Sequence, residues 1–449
     1  MKKKKTTTIL KNVFFGMFLG TSAAFAQNPL ITDQFTADPT ARVFGDRIYV
    51  YPSHDIVPTE GEGRAGWFNM ADYHVFSSEN LTNWTDHGVI LDQKNVPWAD
   101  STAYSMWAPD AIEKDGKYYF YFPTRRKGAS DGESGFSIGV AIADKPQGPF
   151  IPQEEPIEGV VGIDPNVFID NDGQAYLYWS RDKIYGAKLK NNMLELASEP
   201  KVFTLPQKGH IEGPFVFERE GIYYLTYPHV ADKTERLEYA TGNDPLGPFK
   251  HQGVIMDESP TGVWTNHHSI VEFKDQWYLF YHDADLSPDF DKNRSIKADS
   301  LSFNENGLLK KVEPSLRGIG LTQATDKIQF DRFSAKSDSA VETAFLNAED
   351  TFKGWKVILD KSGSWVSYNK VNLQESPEKL TARIRYTGEK GSLEVTDNTG
   401  NVIADFELSE TDSWEIIRTE ANATTKGIKD LTLKNNASGR LEVDWIRFE

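Results

Sequence analysis

The chain contains no cysteine. Disulfide frameworks, thiolate zinc sites and thiol redox chemistry are therefore excluded. Positive charge is also scarce, with 49 Lys and Arg against 66 Asp and Glu and a formal net charge of −17. Nucleic acid is held by clustered Lys and Arg on its phosphates, so it is excluded as a partner class. No Gly-x-x-x-x-Gly-Lys-Ser/Thr phosphate loop and no His-Glu-x-x-His zinc signature occurs. Beyond residue 26 no stretch approaches the roughly 20 apolar residues that a membrane span needs.

The first residues are of another kind. Lys2 to Lys5 form a basic start, residues 13–26 are apolar and rich in small side chains, and Ala24-Phe25-Ala26 reads as a cleavage site ahead of Gln27. A signal peptide over residues 1–26 is expected, and with it export to a periplasm or to the outside of the cell. An exported chain without disulfides must rely on core burial, for which residues 27–449 are ample. Losing the leader also removes five lysines and deepens the negative charge. A neutral ligand suits such a surface. Aromatic residues make up 12% of the chain, with eleven Trp, enough for both buried strands and stacking platforms.

Repetition fixes the expected architecture. Aromatic-rich strand sequences occupy residues 43–51, 115–121, 171–179, 220–227 and 274–281. Gly45, Gly116, Gly173 and Gly221 mark tight turns before or within them, and Asp275-Gln276 stands in the equivalent place of the last. Their spacing suits blades of about four strands. Residues 141–150 and 239–249, both ending in Gly-Pro-Phe, repeat a second phrase, and residues 74–84 carry a looser copy. An all-β fold follows, a five-bladed β-propeller over residues 27–322. The polar stretch 323–342 reads as a linker. Residues 343–449, with alternating strands at 380–386 and 441–448, read as a β-sandwich of jelly-roll type.

A polar residue precedes each propeller strand: Asp38, Asp110, Asp164, Glu212 and His268. Inner strands run beside the propeller axis, so residues at their starts lie near one mouth of the channel. Asp38 and Asp164 each precede a proline, and Glu212 stands before Gly213-Pro214. Any one of them could be a turn-forming acid. Three acids meeting at one mouth would instead shift one another's proton affinity, one staying protonated and another ionised. Two carboxylates around a shared cleft are what hydrolysis of a glycosidic bond requires. The residues alone leave the three roles open.

Ala37-Asp38-Pro39-Thr40, Trp107-Ala108-Pro109-Asp110, Gly162-Ile163-Asp164-Pro165 and Ile211-Glu212-Gly213-Pro214, taken in order, resemble family 43 of the glycoside hydrolases. The resemblance spans residues 30–320 and implies a five-bladed propeller that hydrolyses glycosidic bonds with inversion. It implies Asp38 as general base, Glu212 as general acid, and Asp164 as the residue that tunes and holds the acid. It also implies a substrate contact from Arg294, and a channel position for His268 where a hydrated calcium or sodium ion is held. Asp110 is expected as a contact to a substrate hydroxyl or an acceptor behind one, the alternative being a tie between strands. Trp107, with Trp67 and Phe68, is a candidate wall against sugar faces. The C-terminal segment resembles a family 6 carbohydrate-binding module in Asn347-Ala348-Glu349 and Val443-Asp444-Trp445-Ile446. That resemblance implies a structural calcium on Glu349 and Asp444, although Asn347 stands where the family carries an acid.

The expected activity is exo-hydrolysis of plant cell-wall polysaccharide or oligosaccharide, as an α-L-arabinofuranosidase, a β-xylosidase or both, with no cofactor required beyond such ions. β-Galactofuranosidase and endo-arabinanase are alternatives within the family. The long segment 55–69 could either close the mouth into a pocket or leave an open groove. A non-catalytic glycan-binding propeller is the alternative of another class, and it would have no need of three matched acids.

Overall fold

A computed structural model describes residues 28–129, 135–206, 208–337, 340–374, 377–422 and 425–449. The expected signal peptide at residues 1–26 lies outside them. The described residues form strands and short 3-10 turns, and no helix is long and apolar enough to cross a membrane.

Five antiparallel sheets follow one another in chain order. The first blade runs through Ala37–Phe44, Arg47–Asp55, Met70–Ser78 and Thr85–Asp92. Inner strands Asp110–Lys114, Ile163–Ile169 and Phe215–Arg219 open three further four-stranded blades. The fifth blade has only three strands, Ser269–Phe273, Gln276–Asp283 and Ser295–Leu301. Its open edge is covered by the N-terminal segment. Leu30 N–H donates to Ile296 O at 2.9 Å, Thr36 N–H to Arg294 O at 2.9 Å, and Asn28 Nδ2 to Ala298 O at 3.0 Å. The chain start thus closes the ring beside the first blade.

The aromatic repeats explain the packing between blades. Tyr51, Tyr121, Tyr178 and Tyr281 are fully buried, and each hydroxyl finds an acceptor, as buried phenols require. Tyr51 donates to Pro146 O and Tyr178 to Pro245 O. Pro146 and Pro245 belong to the two copies of the Gly-Pro-Phe phrase, so each copy docks on the tyrosine of the blade before it. Phe150 and Phe249 complete the same clusters.

A second set of contacts ties the inner strands to one another around the axis. Thr40, Asp110, Asn166 and Ser269 occupy equivalent positions, as their cross-strand partners Tyr51, Tyr121, Tyr178 and Phe280 show. Thr40 Oγ1 donates to Pro109 O at 2.7 Å. Asp110 Oδ2 accepts the Val167 N–H at 2.6 Å, and Asn166 Oδ1 accepts the Val216 N–H at 2.9 Å. Ser269 Oγ donates to Pro39 O at 2.7 Å and accepts the Ala41 N–H at 2.9 Å. Between the fourth and fifth blades the bond is His268 Nε2 with Thr226 Oγ1, 2.6 Å. These bonds form a polar collar around the axis, joining inner strand to inner strand except between the fourth and fifth blades, where Thr226 belongs to the second strand of its blade.

The C-terminal domain is a sandwich of two sheets, antiparallel but for one short edge strand. One contains Trp365–Asn372, Ile428–Asn435, Gly391–Asp397 and Val402–Leu408. The other contains Val341–Phe345, Trp355–Leu359, Arg440–Phe448, Lys379–Thr387 and Glu415–Glu420. Val357, Tyr368, Leu393, Leu431 and Leu441 lie fully buried between them. The linker expected at 323–342 is a misreading. Thr322–Gln323 pairs with Val371 and Asn372, Ile328–Gln329 with Ile446 and Trp445, and Ala335–Lys336 with Ser367 and Val366. Polar side chains on edge strands resemble a linker in composition, yet here they extend both sheets. Arg317 Nη2 reaches Asn369 O at 2.7 Å, and Phe35 lies 4.7 Å from Phe352, so the two domains touch.

Asp110 is the most heavily used member of the collar, taking Arg42 Nε at 3.0 Å, Arg42 Nη2, Asn166 Nδ2 at 2.9 Å and the Ala111 and Val167 N–H groups. Asp110→Ala is expected to cost about 3–5 kcal/mol, the penalty for breaking a buried ion pair. Calorimetry should show a clear fall in the melting temperature of the propeller, and an unchanged value would contradict the collar's role.

Candidate active site

The mouth of the ring is set by hairpin register. Asp38 lies six residues before Phe44, which pairs with Arg47 across the first hairpin. The same count from Lys114, Arg219 and Phe273 reaches Ala108, Gly213 and His267. In the third blade Asp164 stands two before Asn166, as Asp38 stands two before Thr40. The mouth position is therefore held by Asp38, Ala108, Asp164, Gly213 and His267. Asp38 (φ 47°), Asp164 (φ 56°) and Gly213 (φ 53°) share a left-handed backbone, and a register shift accompanies each aspartate. Aspartate tolerates that conformation better than most residues, and a bulge of this kind re-aims a side chain.

Glu212 comes one residue earlier than the matched position, and Gly213 explains why. A Cβ there would lie 2.9 Å from Pro228 and 3.0 Å from His267 Nδ1. An acid cannot occupy that place. Glu212 instead brings its longer side chain in from the preceding residue, and the Gly213 N–H donates to Asp164 Oδ2 at 3.0 Å.

Asp38 is buried and firmly held. Arg294 Nη1 donates to Oδ1 at 2.7 Å, Arg294 Nη2 to Oδ2 at 3.2 Å and Ser53 Oγ to Oδ2 at 2.7 Å. Burial opposes its charge, but the Arg294 guanidinium, helped by the Ser53 hydroxyl, outweighs burial and holds its carboxyl below the usual range. His282 is pushed down to about 3 by burial and by Arg294, so it is neutral and accepts the Asp38 N–H on Nδ1 at 3.0 Å. Arg294 also takes Asp55 through Nε and Nη2, both at 2.9 Å.

Glu212 faces a second carboxyl. His210 Nε2 lies 2.9 Å from Glu212 Oε2, and Glu235, buried at 1% exposure, accepts the Asn266 N–H on Oε2 at 2.7 Å. Donor atoms of His210, Glu212 and Glu235 all lie within 4.8 Å of one another. Burial and the Glu212 charge push Glu235 well above the ordinary carboxyl value, with Asp164 adding to the effect. Burial also acts on Glu212, but His210 and the neighbouring Glu235 carboxyl hold it below its ordinary value. Two carboxyls this close share one proton, which belongs to the pair rather than to either residue.

Asp38, Asp164 and Glu212 border one cavity of about 690 Å³, a size typical of small-molecule sites. Its walls include Trp67, Phe68, Trp107 and Trp264, with His210, His267 and Arg64 between them. Trp107 packs on Phe136 at 4.6 Å, and Arg64 lies over Trp67 at 4.5 Å. The segment 55–69 thus forms a wall of the cavity. Acids, imidazoles and aromatic faces around one concave space suit a sugar.

Comparison with known proteins agrees. Residues 26–309 match the glycosyl hydrolases family 43, and residues 317–449 match the carbohydrate binding module family 6. A xylosidase/arabinosidase of Humicola insolens is 38% identical over 336 residues, 64% of this chain and 99% of that one. A xylosidase/arabinosidase of Bacteroides ovatus is 36% identical over 328 residues, 63% of this chain and 97% of that one. A solved family 43 β-xylosidase/α-arabinofuranosidase from a compost microbial metagenome, in complex with xylotriose and calcium-free, is 37% identical. It covers 64% of this chain and 98% of its own, with a TM-score of 0.57.

The chain belongs to glycosyl hydrolase family 43. It is an inverting glycosidase whose substrate is carbohydrate, with a family 6 module at its C-terminal end.

Within this family 43 enzyme several expected contacts fall elsewhere. Asp110 lies two residues deeper than the mouth, inside the collar, with its oxygens taken by Arg42, Asn166 and backbone amides. It is a tie between blades, not a sugar contact. His268 is one residue deeper than the mouth, and its neighbour His267 borders the cavity instead. Arg294 borders the cavity too, but its N–H groups go to Asp38, Asp55 and Thr265, which makes it the anchor of Asp38. In the module, the Asp444 carboxylate is paired with Arg383, and Glu349 is exposed on a turn. The Asp444 carboxylate is thus taken by a guanidinium, and neither acid joins a close group of His, Asp or Glu ligands among the described residues. His210, Glu235, His267, Asp55 and Trp264 were not singled out by the sequence. Counting from the hairpins would have found His267.

Gly213→Ala tests the mouth geometry. The added methyl group meets Pro228 and His267 at an already left-handed backbone, so both melting temperature and turnover should fall. Wild-type values for both would show that Glu212 does not depend on this glycine.

Proposed function

We propose that this enzyme removes terminal pentose units, α-L-arabinofuranosyl and β-D-xylosyl, from plant cell-wall polysaccharide and its oligosaccharides. The observation that carries the reading is the meeting of Asp38, Asp164 and Glu212 in one aromatic-walled cavity. Relatives at 36–38% identity that bear the name xylosidase/arabinosidase support the choice of sugar.

Asp38, ionised, takes a proton from a water molecule as that water attacks the anomeric carbon. Glu212 gives its proton to the departing glycosidic oxygen on the other side. One carbon–oxygen bond forms as the other breaks, the anomeric configuration inverts, and the proton on Asp38 returns to solvent. Asp164 orients Glu212 through the Gly213 N–H, and its charge favours keeping the proton on the Glu212–Glu235 pair. The Glu212–Glu235 pair regains that one proton from solvent before the next turnover. The wall formed by segment 55–69 supports action on chain ends and side chains rather than along an open groove.

The channel position of His268 fits a hydrated calcium or sodium ion. Its Nε2 is taken by Thr226, while buried Nδ1 has no protein partner. Such an ion would supply fixed positive charge beneath the cavity floor. The leader at residues 1–26 supports export to a periplasm or the cell exterior, and the family 6 module supports retention of the enzyme on polysaccharide.

Aryl α-L-arabinofuranosides and β-D-xylosides test the assignment, with β-D-galactofuranosides as the control. Turnover of the pentosides is expected, with the inverted anomer first in proton NMR. Turnover of the galactofuranoside alone, or binding without turnover, would contradict the proposal. Glu212→Gln should cut activity on unactivated substrates more than tenfold while leaving sugar binding measurable. Glu235→Gln removes the second carboxyl, so the pair can no longer hold its proton above the ordinary range. The alkaline limb of kcat/KM should then move to lower pH, whereas Glu235→Asp should keep it near the wild-type position. An unmoved limb in Glu235→Gln would reduce Glu235 to a packing residue.

A further inference from the structure

The first blade carries a second cluster of polar side chains, outside the cavity. His54 lies on Arg47–Asp55, and Asp72 and His74 lie two residues apart on the neighbouring Met70–Ser78. Alternation along a strand puts Asp72 and His74 on one face of the sheet, and His54 meets them there. His54 Nδ1 lies 2.7 Å from Asp72 Oδ1, and His74 Nε2 lies 3.9 Å from the same oxygen. The two imidazole centroids are 4.8 Å apart, and the donor atoms of the three residues all fall within 4.8 Å.

What lies behind His74 separates this cluster from an ordinary hydrogen-bonded patch. Its Nδ1 faces both oxygens of Asp86, at 3.1 and 3.2 Å. Asp86 is itself fixed by the Gly88 N–H at 2.7 Å and by Gln34 Nε2 at 3.1 Å. A carboxylate against Nδ1 keeps the proton there and leaves the Nε2 lone pair directed towards Asp72, across a gap too long for a hydrogen bond. Metal-bound histidines are characteristically backed by a carboxylate in this way.

We propose that His54 Nδ1, Asp72 Oδ1 and His74 Nε2 form a binding site for a divalent cation of the zinc class, with water as fourth ligand. Two imidazole nitrogens and one carboxylate oxygen suit Zn²⁺ and disfavour the all-oxygen cations Ca²⁺ and Mg²⁺. Tetrahedral bonds of about 2.0–2.1 Å place ligand atoms about 3.3 Å apart. The 2.7 and 3.9 Å separations lie on either side of that value, and the two imidazole nitrogens lie within 4.8 Å of each other, so side-chain rotation is what brings the three atoms to that spacing. The ion cross-links two strands of the first blade and, through Asp86 and Gln34, the N-terminal segment that closes the ring.

His210, Glu212 and Glu235 form the other group of close donors, but a cation there would displace the proton that hydrolysis consumes. The two sites are told apart by calorimetric titration of the chelator-treated full chain with Zn²⁺, alongside its melting temperature. One Zn²⁺ per chain and a raised melting temperature are expected. Asp72→Asn and His74→Gln should each abolish that binding, and Glu235→Gln should retain it. Asp86→Asn, which touches no metal, should weaken it about 10–100-fold. Absence of Zn²⁺ binding to the wild type, or binding that survives Asp72→Asn and His74→Gln but not Glu235→Gln, would overturn the proposal.

Discussion

The collar of hydrogen bonds between successive inner strands is the constraint on which the rest depends. An antiparallel blade satisfies its own ladder but leaves the spacing between blades to side chains. Thr40, Asp110, Asn166 and Ser269 set that spacing by bonding to the backbone of the adjacent inner strand. Because those bonds run from side chain to backbone, they fix where each strand begins as well as how far apart the strands lie. The mouth residues stand two positions further out on the same strands. Their separation is inherited from the collar, and so is the meeting of acids that lie on different blades, far apart in the chain.

On that frame, electrostatics gives like groups unlike tasks. Asp38 and Glu212 are both carboxyls in a water-poor cavity, where burial alone would favour the neutral form of each. Arg294 overrides burial at Asp38, and Asp55 on the far side of the guanidinium keeps Arg294 in place. At Glu212 the neighbour is a second acid rather than a cation, so one proton is retained by the pair. Base and acid are thus separated by what stands behind them, not by their own chemistry.

How much of this was legible in the sequence depended on whether the signal was local. Blade hairpins, the repeated Gly-Pro-Phe phrase and the Asp-Pro starts are local, and the propeller follows from them. The three acids were found for the same reason. Asp110 and His268 were placed with them because a proline or a second histidine nearby obscures an offset of one or two residues, which only hairpin register resolves. Arg294 reads as a sugar contact until its partners, Asp38 and Asp55, are seen on the opposite side of the ring closure. Glu235 has no sequence signal, since its role comes from the third strand of its blade folding back behind Glu212. The stretch 323–342 misled through composition, because edge strands carry linker-like polar residues.

The assignment of charge at the two sides of the cavity is tested most directly by neutron diffraction from crystals of the enzyme at neutral pD. A single deuteron between Glu212 and Glu235, with none on Asp38, is the expected result. A deuteron on Asp38, or a bare Glu212–Glu235 pair, would contradict the division of labour that the ring imposes.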